Sequence, residues 1–281
     1  MRAGLLHGPP YLVCCGDFDC QGMSIGVAQW NVGKSYVAVK QIVMSVPETE
    51  RRALMPLHGD SFIAALSRDK QATMTYVRSL QMFADPRSCD AIVRKARWSN
   101  DGNVFVRELS RLLLTPQSQA SQRQQRAAIF NDGKNHAARW TRALRGPGSD
   151  PTLKEIAYFV DMQNFNGGGL QKFGVPYAGL DAAQRQACPG AAIGYLRQAD
   201  DAFLLHKKAA RKNSVLLQPA VLSDSDRDLF CIAHRVALKL NARQARQFRL
   251  TTINRLSAIL YGQAYYGDRD THPTKISFPP P

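Results

Sequence analysis

The feature that most constrains this chain is a helical rhythm of apolar residues, cut by a few sharp breakers. Val37, Ile42, Val43 and Val46 recur at spacings near three and four, which predicts a helix from Gly33 to Pro47. Residues 61–66 and 70–83 continue in the same style, the second stretch ending at Asp85-Pro86. Residues 104–114 carry Val106, Leu109, Leu112 and Leu113 on one face. Residues 117–125 are poor in apolar side chains and fit either a solvated helix or a loop. The clearest breaker is residues 146–151, Gly-Pro-Gly-Ser-Asp-Pro, where Asp150 suits an N-cap and Pro151 a first helical position. The helix that follows should face Leu153, Ile156, Ala157, Phe159 and Val160 inward and stop at Asn166-Gly167-Gly168-Gly169. Residues 224–240 and 249–260 repeat the amphipathic pattern, with Leu229, Ile232 and Val236 in the first and Ile253, Leu256 and Ile259 in the second.

The start of the chain differs. Its first 34 residues are rich in Gly and Cys and read as loop with short strands; residues 23–28 alternate loosely after a turn-like segment at 16–19. No internal repeat is found. The expected fold is therefore mainly α with a small β element, a single domain over residues 1–281 whose two lobes share a cleft. Residues 268–281 are expected to form an irregular tail. With 281 residues, 44% of them hydrophobic, the chain can bury a core, and no apolar run is long enough to predict a membrane span.

Charge narrows the partners. Lys and Arg number 37 against 22 Asp and Glu, a net +15, which attracts polyanions such as nucleic acid, anionic lipid or bacterial wall polymers. The denser basic runs, 123–145 and 243–255, fit solvated helix faces. Six cysteines are too few for a disulfide scaffold at this length; disulfides remain open, but sequence cannot pair them. With no CxxC pair, neither a metal site nor any cofactor is expected. Gly33-Lys34-Ser35 lacks the earlier glycine of a phosphate-binding loop, since Ala28 stands there. His7 to Pro10 interrupt any apolar region of a secretory signal peptide, so none is expected.

The most informative stretch is residues 16–31, Gly-Asp-Phe-Asp-Cys-Gln-Gly-Met-Ser-Ile-Gly-Val-Ala-Gln-Trp-Asn. Two acids, amides and an indole in a Gly-rich turn and strand suit sugar chemistry; an Asx-rich turn with a core tryptophan accounts for them equally well. The stretch resembles the Gly-x-Phe-Asp-x-Gln-Gly-x-Ser-x-Gly-x-x-Gln-Trp-Asn signature of chitosanase-like glycosidases of the lysozyme superfamily. Such domains occur in peptidoglycan-cleaving proteins, including effectors of type VI secretion. Residues 157–164 leading into Gly167-Gly168 are similar to that family's Phe-x-x-Asp-x-x-x-Gln-Asn-Gly-Gly helix end. Residues 254–262 are similar to its Ser-Arg-Lys-x-x-Ile-x-x-Gly closing segment.

The resemblance implies a lysozyme-like hydrolase of β-1,4 bonds between amino sugars, acting by inversion with a carboxylic acid and a carboxylate base. By its place before Cys20-Gln21-Gly22, Asp19 would be the base, with Asp17 the fallback. Gln29, Trp30, Asn31 and Asn164 would bind sugar. Asp161 would pair with an Arg such as Arg255 to support the cleft, its alternative being a surface partner of a nearby cation. Where the resemblance expects the acid in a Phe-Glu-Thr-Gly-like segment, this sequence has Met1-Arg2-Ala3-Gly4, with no Glu before Glu48. The Glu then lies upstream of Met1, or the acid is lost and the chain is a glycan-binding or secretion-related protein. The partner would be peptidoglycan or a related polymer, with an immunity or secretion-apparatus protein as a further candidate. The site of action would be the periplasm or a target cell envelope. A basic nucleic-acid-binding protein is the third class, for which no recognition motif is evident.

Overall fold

The computed structural model describes residues 12–17, 20–89 and 91–166, together with 223, 225–229, 231, 232, 259, 263, 264, 274 and 275. The chain divides into two compact units, residues 1–128 and 129–281. The architecture is mainly helical with a few short strands.

In the first unit, β1 (Val13–Cys15), β2 (Ser24–Ile25) and β3 (Trp30–Asn31) form an antiparallel sheet in that order, pairing Ile25 with both Val13 and Trp30. Helix α1 (Val32–Met44) follows without a linker because Asn31 is extended and its side chain accepts from the Lys34 amide at 2.8 Å. Then come α2 (Glu48–Leu54), α3 (Gly59–Arg68) and α4 (Lys70–Ser79), the last capped by Asp69 on the Ala72 amide at 2.7 Å. Phe105, from α6 (Asn100–Leu113), centres the core, edge-on to Phe62 at 5.1 Å and Tyr76 at 5.8 Å. Burial and the charges of Asp101 and Glu108 push the Tyr76 hydroxyl up to about 12, so it stays neutral against His58 Nδ1, 2.9 Å away.

The rhythm of residues 70–83 predicts a longer helix than forms. Helix α4 stops at Ser79, and β4 (Gln81–Met82) pairs with β5 (Arg97–Trp98) beyond the short α5 (Ala91–Arg94). The Leu80 carbonyl accepts from the Ser99 amide at 3.0 Å and the Ser99 hydroxyl at 2.9 Å, so a distant partner replaces the next helical bond. Residues 117–125 resolve as helix, inside α7 (Pro116–Arg145). Their polarity is not all solvated. Gln122 is fully buried; its Oε1 accepts from the Val27 amide at 3.3 Å and its Nε2 donates to the Leu113 carbonyl at 3.3 Å. A glutamine thus satisfies backbone groups that an apolar residue would orphan.

In the second unit, α8 (Leu153–Asn166) starts differently from the expectation, and its expected stop at Gly167 lies outside the described residues. Thr152, not Asp150, caps it: the Glu155 amide donates to the Thr152 hydroxyl at 3.2 Å, and the Thr152 amide to Glu155 Oε2 at 2.7 Å. The inward face is also rotated. Glu155, Tyr158, Phe159 and Met162 are buried, while Leu153 is 60% exposed and Ile156, Ala157 and Val160 are half-buried. Trp140 of α7 packs on Phe159 with ring centroids 5.5 Å apart. Gly133 lets α7 approach α8: a Cβ there would lie 2.5 Å from the Val160 Cα and 2.7 Å from its nitrogen. Gly133→Ala should therefore cost about 1–3 kcal/mol through overpacking despite its better helix propensity, measurable as a lower urea midpoint. A variant as stable as the parent would mean that the helices part freely.

Leu229, Ile232 and Ile259 are buried, as the amphipathic patterns predict. Within the expected irregular tail, β7 (Thr274–Lys275) pairs antiparallel with β6 (Gln263–Ala264). Strand pairing depends on a partner remote in sequence, which a local pattern does not reveal. Among the described residues no helix is long and apolar enough to cross a membrane, and no group of three His, Cys, Asp or Glu is placed to hold a metal ion.

Candidate functional site

Residues 16, 17 and 20–23 are loop and residues 24–31 a hairpin, and the loop residues are fastened by long-range bonds. Asp17 is completely buried. Its Oδ2 takes Arg78 Nε at 2.6 Å and Arg94 Nη2 at 2.7 Å, while its Oδ1 takes the Gly22 amide at 2.7 Å. Its own amide donates to Gln81 Oε1 at 2.8 Å, and its carbonyl accepts from Arg94 Nε. Arg94, 2% exposed, spends its remaining nitrogen on the Pro86 and Ser88 carbonyls at 2.6 and 3.0 Å. Its guanidinium also stacks 4.1 Å from the centre of the Phe83 ring. Arg78 reaches from α4 to the Cys20 carbonyl at 3.2 Å. A planar fork with five donors suits this work; a lysine could not span the same set.

A covalent tie lies beside the ionic one. Cys20 is bonded to Cys89, 69 residues away, with the Cα atoms 5.2 Å apart. Cys231 is disulfide-bonded as well. Cys20 holds a left-handed backbone at φ 64°, followed by Gly22 at φ 77°. Gly22 has no space for a side chain, since a Cβ would meet the Met74 sulfur at 2.6 Å.

The residues singled out from sequence fall into distinct environments. Asp19 lies outside the described residues, between the anchored Asp17 and Cys20. Asp17 has no exposed surface and both oxygens engaged, so in this arrangement it anchors the loop and is not open to a water nucleophile. Trp30 is only 5% exposed, with its ring against Gly26; the indole is a core residue here and offers no open face for a sugar. Its polar neighbours reflect strand alternation and a turn. Gln29 is exposed in the hairpin turn at φ 51°, and Asn31 is half-buried with its carbonyl oxygen committed to capping α1. Asp161 and Asn164 both sit on α8, half-buried and exposed respectively. Burial, then the Asp161 charge, push the Tyr158 hydroxyl upward. Arg255 lies outside the described residues.

No family model, curated protein or solved structure matches the chain. The site therefore stands on its own geometry. Sequence reasoning did not find Arg78, Gln81, Arg94 or Cys89. Arg78 and Arg94 sit in ordinary helical segments, and no local spacing joins Cys20 to Cys89.

Proposed function

We propose that the chain is a peptidoglycan-targeting glycoside hydrolase, muramidase-like, cleaving β-1,4 bonds between amino sugars, with Asp19 as the base that activates water. The observation that supports this reading is the fastening of Asp17 and Cys20, the described residues that flank position 19 in the sequence. The residue two positions before it is gripped by two guanidiniums, and the residue after it is cross-linked and held in a left-handed conformation. Backbone strain and buried charge of this kind cluster at functional sites. A short antiparallel sheet running directly into helices is compatible with a lysozyme-like domain, whose two-lobed cleft is part of the proposal. Disulfide bonding fits action in an oxidising envelope compartment, and the +15 charge fits an anionic wall.

Gln29 is the best-placed described residue for sugar contact, being polar, exposed and in the hairpin turn; Asn164 is the second. With purified sacculi, the chain should release muropeptides with new reducing ends, and Asp19→Asn should lower release by about two to four orders of magnitude. Equal release by parent and variant would remove Asp19 from the chemistry. One sequence fact favours a second reading, a glycan-binding protein without hydrolysis: residues 1–47 contain no Glu to serve as acid. Sacculus binding without release, unchanged by Asp19→Asn, would select it.

A further inference from the structure

We infer that the outward side of the β4–β5 ladder is a docking surface for an anionic lipid membrane. The surface lies wholly within the first unit and does not depend on the chemistry proposed for residue 19. Its sidedness follows from the register. Gln81 pairs with Trp98 and Met82 with Arg97, and directly opposed residues of an antiparallel pair project to the same side. Gln81 is buried, so the side that carries Met82 and Arg97 is the outward one; Met82 is 58% exposed, and Arg97 is exposed too. The alternation continues beyond the strands. Phe83 lies against the buried Arg94 guanidinium, while the exposed Ala84 donates its amide to the Arg94 carbonyl at 2.9 Å. Val93 and Lys95, on either side of Arg94 in the chain, are both exposed, Val93 by 48%.

Charge complementarity selects an anionic partner. Arg78 and Arg94 are spent on Asp17, whereas the exposed Arg87, Lys95 and Arg97 form no ion pair with a described residue. Among the described residues of 81–98 the one acid is Asp85, half-buried, whose Oδ1 accepts from the Arg87 amide at 2.9 Å. Lys95 stands at φ 43°, a backbone conformation that a glycine would adopt without strain, yet the position holds a cation. Met82 and Val93 then choose among anionic partners. A soluble polyanion meets the cations and leaves both apolar side chains in water. The boundary of a bilayer takes both kinds of group: lipid phosphates meet Lys95 and Arg97, and the apolar side chains enter just beneath the headgroups. The long stems of Lys95 and Arg97 let their charges stay at phosphate level as Met82 and Val93 sink. Methionine, unbranched and adaptable, suits so irregular a boundary.

The test is sedimentation of the full chain with two kinds of vesicle, phosphatidylglycerol mixed with phosphatidylcholine, and phosphatidylcholine alone. The parent should sediment with the first and stay in solution with the second. Two double variants divide the surface by chemistry, Lys95→Gln with Arg97→Gln, and Met82→Ser with Val93→Ser. All four side chains are exposed, so both variants should keep the parent's urea midpoint; if either does not, Arg97→Gln and Val93→Ser alone make the same comparison. Losing both cations should lower partitioning into the acidic vesicles by about tenfold or more, since each is worth about fivefold near an anionic leaflet. Losing both apolar side chains should lower it by about fivefold at unchanged charge. Equal binding of the parent to both vesicles, or to neither, overturns the proposal. Binding that neither double variant weakens also overturns it, because another part of the +15 chain then carries the attachment. An effect of the cations alone assigns the surface to a soluble polyanion and overturns the membrane as its partner.

Discussion

Arg94→Met should destabilise the first unit by about 3–5 kcal/mol, the range for breaking a buried ion pair by removing one partner. Methionine approximates the length of the arginine stem but leaves the Asp17 carbonyl and the Pro86 and Ser88 carbonyls without their donor. It also leaves the wholly buried Asp17 carboxylate with only Arg78, whose side chain is 34% exposed and a weaker source of compensation. Arg94→Lys should recover only part of the loss, because one ammonium cannot reach Asp17 and residues 86–88 together. Removing both charges with Asp17→Asn and Arg94→Met should cost less than the sum of the single changes, since neither charge is then stranded. Urea unfolding followed by circular dichroism measures all three. A midpoint for Arg94→Met indistinguishable from the parent would show that the cluster holds nothing.

The second large effect is expected at Glu155, a fully buried carboxylate in the other unit. Arg145 meets it with two nitrogens, each at 2.7 Å, and Thr141, Ser225 and the Thr152 amide add donors at 3.2, 2.9 and 2.7 Å. It joins the end of α7, the start of α8 and residue 225. Burial alone would push its carboxyl up, but the Arg145 hydrogen bond, the Thr152 amide and the Ser225 hydroxyl together outweigh it. The net shift is downward from the ordinary 4.5. Glu155→Ala should cost about 3 kcal/mol at neutral pH, because buried donors lose their acceptor while Arg145, partly exposed, recovers water. The sign of the pH dependence follows from the depressed carboxyl. Its stabilisation is complete above pH 4.5 and is lost as pH falls through the lower folded-state value. The gap between parent and variant should therefore stay constant above about pH 5 and narrow below it. Trp140, buried against Phe159 in the same unit, provides the fluorescence readout. A gap that widens on acidification would mean the carboxyl is raised instead.

Much of the helical framework is legible in the residues. Asn31, Asp69 and Ser99 act through bonds spanning three residues, so the starts of α1, α4 and α6 are local events. The apolar rhythm places Ile42, Val43 and Val46 in the core for the same reason, but Val37, read with them, is 65% exposed, and Val39 is buried instead. The rotation of α8 was not legible, because its apolar residues surround the helix and the neighbour decides which face is covered. Glu155 drew no attention, since a lone acid in a helix normally faces solvent; only Arg145, Thr141 and Ser225 make its burial affordable.

At the candidate site the division is sharper. The β2–β3 hairpin and the positive φ at Gly22 and Gly26 came from the structure, whereas the sequence by itself marked residues 16–31 as a Gly-rich turn and strand. It also determined which side chains could do chemistry there. Only the tertiary structure decided which of them are spent on holding the loop. Asp17 and Asp19 are both acids in one turn, and residue type alone cannot rank them. Arg94, 77 residues away, and Arg78 take both charge and surface from Asp17, while Cys89 ties down Cys20 from 69 residues away. Short-range patterns report bonds made within a turn of helix or a pair of strands. Burial, charge pairing and cross-linking depend on what the folded chain brings alongside, and that is set by packing across its whole length.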